Sequence, residues 1–358
     1  MTKKEDEMRF GKGSFVPCLD LGGKKINVYD GEVRISKKEI EKIVAFCKPL
    51  WEEIVKKTEN FNFKGIIRFD LVPSFSSFVK NNGFVDFGEI SFCGIYEINA
   101  HSPECCSALC AMNKKGIMVI PIWERIAKEI KMHFGKRILF IKGESLLKRE
   151  WGDDFIDLLK KEGLELEVLR HPYNCLENAN NLPIWRWGDV RFSETEDEFP
   201  IEVQNWILRQ QKEKVPVFNT VSFLPEKDAG RKDILSSDLF AGPLSDFNGE
   251  KEDFVIKPLR GSSGKGIVFG RLADDQVWQK AINGVREGKN GLYKGMWLPR
   301  LPLNGKEAAL DFNVAFWANG PDLSYLYSII RMDDWDSYWK RGVINVCQGG
   351  GVASVLEE

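Results

Sequence analysis

The stretch Phe254-Val255-Ile256-Lys257-Pro258-Leu259-Arg260-Gly261-Ser262-Ser263-Gly264-Lys265-Gly266-Ile267 constrains this chain more than any other. A short apolar strand delivers a lysine, a glycine/serine loop follows, and a strand resumes. The backbone N–H groups of such a loop can close over phosphates, with Lys257, Arg260 and Lys265 supplying positive charge. It is not a Walker A loop, because Gly266 follows Lys265 where Ser or Thr is required and no long helix opens there. A plain β-hairpin with a flexible tip satisfies the same pattern, so both readings stay open.

Two further strands end in polar side chains: Arg68-Phe69-Asp70 and Glu97-Ile98-Asn99. Alternate residues of a strand share a face, so Arg68 goes with Asp70 and Glu97 with Asn99. If the strands are neighbours, Asp70, Glu97 and Asn99 converge as hard oxygen donors of the kind Mg²⁺ takes together with phosphate oxygens and water. The alternative is a cross-strand charge pair without metal. A third piece is Arg331, followed after a Trp/Tyr-rich segment by Ile344-Asn345-Val346-Cys347-Gln348 and three glycines, Gly349, Gly350 and Gly351. Consecutive glycines let the backbone approach a ligand closely, although a turn needs no more than that.

The surrounding pattern is α/β. Residues 36–59 carry apolar positions near a 3.6-residue period behind a Ser36/Glu39 capping box, with Pro49 as a point of kinking or splitting. Strands are expected at 65–71 and 90–99, and a helix at 104–112. Between 113 and 195, strands at 137–141, 166–169 and 183–187 alternate with a helix at 153–162, which predicts a small parallel α/β unit. A helix over 198–212 leads out of an acidic segment. The last third reads as strand-rich, with strands at 253–258, 266–270, 295–301, 312–317, 325–331 and 343–346.

At 358 residues the chain is long enough for two or three domains. Its net charge of −2 does not suit a general polyanion binder, which needs a basic excess, so no nucleic-acid partner is expected. No apolar run approaches the ~20 residues that span a bilayer, and the first residues carry no secretory signal, so the expectation is a cytoplasmic protein without a membrane partner. Eight scattered cysteines then read as reduced thiols. His101, Cys105, Cys106 and Cys110 form one local cluster, but without a CxxC pair or a second ligand group they read as small buried residues rather than a metal centre. Asp86-Phe87-Gly88 spells the kinase metal motif, yet the chain has no H-R-D catalytic loop.

Taken together, these segments resemble the ATP-grasp superfamily in a circularly permuted order, similar to the synthetase domain of glutathionylspermidine synthases. The usual final block comes first here: residues 36–70 resemble the terminal helix and its metal-binding Asp. The run Glu97-Ile98-Asn99-Ala100-His101-Ser102-Pro103 resembles the E-x-N-x-x-P strand, and the segment from Arg331 to the glycines resembles R…N…GG. The resemblance implies an ATP-grasp fold with a small parallel, pre-ATP-grasp-like insert. Residues 1–112 would be the displaced C-terminal lobe, 113–195 the small α/β domain, and 196–358 the remaining lobes. It implies Asp70, Glu97 and Asn99 as Mg²⁺ ligands, and Arg68 and Arg331 as catalytic cations opposing the transferred phosphoryl group. Lys227, Lys257, Arg260, Gly261, Ser262, Ser263, Gly264, Lys265 and Asn345 would contact the nucleotide. Ser102 would bind the acyl substrate, and Met296–Leu301 would carry the adenine hinge. The chain departs from the family at His101, at Glu104-Cys105, and at Asp311-Phe312-Asn313, where many members carry an arginine. The implied activity is an ADP-forming carboxylate–amine ligase using ATP and Mg²⁺ on small-molecule or peptide substrates. The alternatives are a phosphotransferase of the same fold or a non-catalytic nucleotide-binding subunit.

Overall fold

The computed structural model describes residues 8–10, 15–20, 25–31, 33–59, 61–76, 78–81, 84–87, 90–99, 113, 116, 121–142, 151–170, 173, 176, 182–187, 201–218, 249–258, 266–303, 306–344 and 350–357. Among them the chain is a mixed α/β protein with six α-helices and three sheets.

The first part contributes β1 (Met8–Phe10), β2 (Phe15–Asp20), β3 (Lys25–Tyr29), β4 (Val33–Ile35), α1 (Lys37–Thr58), β5 (Lys64–Phe75), β6 (Phe78–Asn81), β7 (Phe84–Phe87) and β8 (Ile90–Asn99). The middle contributes α2 (Ile122–Phe134), β9 (Arg137–Lys142), α3 (Trp151–Lys161), β10 (Glu165–Leu169), β11 (Ile184–Trp187), α4 (Ile201–Lys212) and β12 (Val217–Phe218). The last part contributes β13 (Phe254–Pro258), β14 (Val268–Phe269), α5 (Asp275–Arg286), β15 (Asn290–Lys294), β16 (Arg300–Leu303), β17 (Lys306–Asn319), β18 (Asp322–Asp334), α6 (Trp335–Arg341) and β19 (Gly351–Glu357).

A twelve-stranded sheet runs β6-β7-β1-β4-β19-β18-β17-β5-β8, with β16 on β17, and β2 and β3 joined through β19. It is built from both ends of the chain: β5 pairs antiparallel with β17, and β19 runs parallel to β3 and β4. One face of its centre is apolar. Ile67, Phe69 and Leu71 of β5, Phe312, Val314 and Phe316 of β17, and Ile330 and Met332 of β18 bury themselves against Ile43, Cys47, Leu50, Trp51 and Ile54 of α1. At ~1.5–3 kcal/mol per fully buried large apolar side chain, this contact dominates the stability of α1. Ser36 Oγ accepts from the N–H of Glu39, capping the helix as its spacing predicts. The helix nevertheless runs unbroken through Pro49, so the expected kink or split does not divide it.

The four-stranded sheet is parallel throughout, in the order β10-β9-β11-β12. It agrees with the expected parallel unit but takes its fourth strand from beyond residue 195. Helix α4 packs there too, through Val203, Trp206 and Ile207 against Leu139, Ile141 and Ile184. The three-stranded sheet β14-β13-β15 carries α5 on one face through Trp278 and Ala281.

Two expected strands depart from their expected bounds. Residues 295–299 form an irregular connection, and β16 begins only at Arg300. Pro299 has no N–H for a ladder, while Gly295 N–H bonds Asp253 O at 2.6 Å and Leu298 N–H bonds Tyr338 Oη at 3.0 Å. Val343 and Ile344 are not strand, Asn345 and Val346 lie outside the described residues, and among those described the next strand starts at Gly351. The expected helix at 104–112 lies outside the described residues. No helix among those residues is long and apolar enough to cross a membrane.

Candidate functional site

The second face of the central sheet is not uniformly apolar. Toward one end Ile66, Ala315, Trp317, Tyr327 and Ile329 pack against the four-stranded unit through α2 and Trp185. Toward the other, Val72 and Ala309 pack against Leu298, Tyr338 and Ile344. Between these two patches the same face carries Arg68 and Asp70 of β5, Asp311 and Asn313 of β17, and Arg331 of β18. The strand periodicity puts all five on one side, opposite Phe69, Leu71, Phe312 and Ile330.

Register decides who meets whom. Asp70 stands opposite Glu97 on β8 and opposite Asn313 on β17, so the three form one cross-strand row. Asn99 stands opposite Arg68, and Asp311 opposite Arg331. A bulge follows directly after the Asp70/Glu97 pair, a device that re-aims side chains beside sites.

The charges are closely coupled. Arg68 grips Asp70 with Nε at 2.6 Å from Oδ1 and Nη2 at 3.1 Å from Oδ2. Arg331 grips Asp311 with Nε at 3.0 Å from Oδ1 and Nη2 at 2.7 Å from Oδ2, and the same Nη2 reaches Asp70 Oδ2 at 3.3 Å. Asn313 Nδ2 donates to Asp311 Oδ1 at 3.2 Å. Asp70 is 1% exposed, Asp311 2% and Asn313 0%, so these are buried ion pairs in which loss of one partner strands the other. Burial pushes the Asp311 carboxyl above the usual range, against the pull of Arg331. For Arg331, burial works against the charge, but Asp311 and Asp70 outweigh it and raise the guanidinium above its ordinary value.

The three-stranded sheet brings the lysine. Lys257 lies on β13 opposite Gly291, its Nζ 5.1 Å from the centre of the Tyr293 ring. A Cβ on Gly291 would come within 2.7 Å of that ring, so only glycine lets Tyr293 lie there. Burial depresses the Lys257 ammonium below the normal lysine range, while the carboxylates of Glu97 and Asp70 partly restore it. The lysine of one sheet therefore feels the carboxylates of the other. The hairpin β13–β14 closes with Val255 opposite Phe269 and Ile256 opposite Val268. Gly266, at φ +76°, has its pro-Cβ position 2.9 Å from Pro258 Cγ, so the returning chain leans on the strand end as only glycine allows.

This sheet is tied to the large one by aromatic stacking. The Arg271 guanidinium carbon lies 3.5 Å from the Trp297 ring centre and 3.9 Å from that of Trp339. Trp339 in turn stacks on Trp335 at 5.4 Å.

Of the residues singled out by sequence, Arg68, Asp70, Glu97, Asn99, Lys257 and Arg331 are described, and they gather around one polar belt. Lys227, Arg260, Gly261, Ser262, Ser263, Gly264, Lys265, Asn345 and Ser102 lie outside the described residues, as do His101, Cys105, Cys106 and Cys110. Asp311 and Asn313 were not expected as site residues. Their signal is two polar residues at i and i+2 inside an otherwise apolar strand from Ala308 to Trp317. Among the described residues no group of three or more His, Cys, Asp or Glu side chains stands close enough to hold a metal ion. Mg²⁺, however, commonly takes only one or two protein carboxylates and completes its shell with phosphate oxygens and water, and Asp70, Glu97 and Asn99 supply donors of that chemistry. No known family model matches the chain, and no curated protein matches its sequence.

Proposed function

We propose that this chain is an ATP-dependent, ADP-forming carboxylate–amine ligase of the ATP-grasp type, permuted so that its N-terminal segment completes the sheet of its C-terminal third. The observation that carries the reading is the belt of Arg68, Asp70, Asp311 and Arg331 on one face of the central sheet with Glu97 opposite Asp70, together with Lys257 on a strand that runs into the glycine/serine loop and whose ammonium feels the Glu97 and Asp70 carboxylates. The permuted order is supported by β5 lying between β17 and β8, and by β19 running beside β3 and β4.

The chemistry asked of these residues is positioning and charge compensation, as in phosphoryl transfer generally. Lys257 and the loop 259–265 hold the nucleotide phosphates. Arg68 and Arg331 face the group in transfer, where low-dielectric surroundings strengthen their attraction for developing negative charge. The γ-phosphoryl group passes to a substrate carboxylate oxygen and ADP departs. An amine then attacks the acyl carbon, loses a proton and expels phosphate. Bound Mg²⁺, held by Asp70, Glu97 and Asn99, would neutralise phosphate charge.

The test is calorimetry with ATP and Mg²⁺, followed by a phosphate-release screen of amino acids, short peptides and polyamines. Saturable binding lost in the Asp70→Ala/Glu97→Ala variant, with release stimulated by one acid–amine pair, supports the reading. Absence of binding, or equal binding by the variant, would sink it. Phosphate retained on the product rather than released identifies a phosphotransferase.

A further inference from the structure

We infer that Asp311 is the positioning residue of this site: its carboxylate fixes the Arg331 guanidinium against Asp70 and toward the phosphoryl group, a role resting for its chemistry on the ligase reading above. Arg331 projects from β18, and an arginine side chain held by nothing keeps about 2 kcal/mol of rotamer entropy. Asp311 stands directly opposite it and takes Nε and Nη2 together, at 3.0 and 2.7 Å, a two-point grip that sets both the place and the plane of the guanidinium. With the plane set, Nη2 also touches Asp70 at 3.3 Å, so one arginine links the two carboxylates. The carboxylate is itself held, since Asn313 Nδ2 donates to its Oδ1.

The fold has no need of this arrangement. Ala309 and Ala315 flank these positions on the same face of β17, both 0% exposed, and apolar residues between them would join the two hydrophobic patches. Instead the strand buries a carboxylate and an amide. Among the described residues the Asn313 Oδ1 atom has no hydrogen-bond partner, a cost of roughly 1–3 kcal/mol that a purely structural strand would shed. Polar groups retained at a loss, in contact with a catalytic cation, belong to the site and not to the core.

The experiment is a double-mutant cycle of Asp311→Asn and Arg331→Lys, read as affinity for Mg²⁺·ADP and for Mg²⁺·ADP with aluminium fluoride, which mimics the phosphoryl group in flight. Asp311→Asn should leave Mg²⁺·ADP binding within about twofold and weaken the fluoride complex roughly 100-fold, the scale of one lost charge-stabilising donor. It should add nothing in the Arg331→Lys background, and Asp311→Glu should recover part of the loss. A loss that multiplies undiminished onto Arg331→Lys overturns the assignment. A nucleotide-free measurement separates it from the ligase reading. In ¹⁵N–¹H NMR the Arg331 Nε–H signal, assigned by its disappearance in Arg331→Lys, should be protected from solvent exchange and lose that protection in Asp311→Asn. Should Asp311→Asn not fold, partial loss in Asp311→Glu serves instead. Unchanged protection overturns the positioning role. Protection lost as expected, in a protein that binds neither nucleotide complex, leaves Asp311 as the holder of Arg331 and removes the ligase reading alone.

Discussion

The two faces of the central sheet answer different demands with the same strands. On β5, Phe69 and Leu71 turn toward α1 and join its apolar core, while Arg68 and Asp70, one residue along in each case, turn the other way and pair with each other and with Arg331. On β17 the alternation is Phe312 and Val314 against Asp311 and Asn313. The first face gains stability from every side chain it buries. The second gives some of it up, since each buried charge there must be matched by a partner whose own desolvation is costly. A sheet that needed only to fold would resemble the first face on both sides. The polar belt between two apolar patches is therefore the strongest structural mark of a candidate site.

The largest effects should divide cleanly between the faces. Phe69→Ala is expected to cost ~3–5 kcal/mol in denaturant unfolding, because its ring is wholly buried and edge-on to Phe316 at 5.6 Å. The fraction that remains folded should bind Mg²⁺·ATP as the parent does. Asp70→Asn reverses the ranking. It keeps the volume, costs ~1–3 kcal/mol as two arginines lose a charged acceptor, and should abolish Mg²⁺-dependent nucleotide binding. If Phe69→Ala lost nucleotide affinity while Asp70→Asn kept it, the division of labour between the faces would be wrong.

Lys257, on the three-stranded sheet, sharpens the comparison. Its folded pKa is depressed by burial, so for a base the charged form is the one that folding penalises. Between the folded value and the ordinary lysine value of about 10.4 the unfolded chain binds more protons than the folded one, and stability rises with pH. Lys257→Met should remove that rise: the variant is at least as stable as the parent near neutrality, and the parent gains on it as the pH climbs toward 10. Nucleotide affinity should meanwhile fall roughly 10–100-fold, the scale of about 1.4–3 kcal/mol for one charge-assisted phosphate contact. A variant that is less stable at pH 7 and binds nucleotide normally would make Lys257 a structural lysine.

How much of this could be read in advance follows from range. Strands β5 and β8, α1 and the β13–β14 hairpin are set by period, capping and turn chemistry within a few residues, and each falls close to its expected bounds. Arg68 with Asp70 is a two-residue relationship and was readable for the same reason. Asp311 was visible but not interpretable, because its meaning depends on a register with Arg331 twenty residues away and with β5 from the far end of the chain. The expected strand at 295–301 failed because its apolar residues obey a tertiary demand. Leu298 is held by the Tyr338 hydroxyl and buried in the patch beside the polar belt, and an apolar run says nothing about which partner satisfies its backbone. Helix α5 carries its own N-cap at Asp274 but stands between two strand signals, which hide its period in the sequence.

The smallest predicted effect tests whether the faces are independent. Ser36 caps α1 through a 3.3 Å bond to the Glu39 N–H, and α1 touches the sheet only on its apolar side. Ser36→Ala should cost ~1 kcal/mol, seen as a lower denaturant midpoint with unchanged slope. A helix packed on Phe69, Phe312 and Ile330 could in principle tilt the strands and move Arg68, Asp70 and Arg331 on the reverse side. Close packing resists this: Trp51 is locked by its Nε1–H to Gly320 O at 2.8 Å, and six α1 side chains from Ile43 to Val55 are buried well inside the fray of a helix end. A frayed first turn should therefore leave nucleotide affinity unchanged within about twofold. Any larger loss of affinity per kilocalorie of stability than Phe69→Ala produces would mean that the apolar face sets the geometry of the polar one, and the contrast between them would become a coupling.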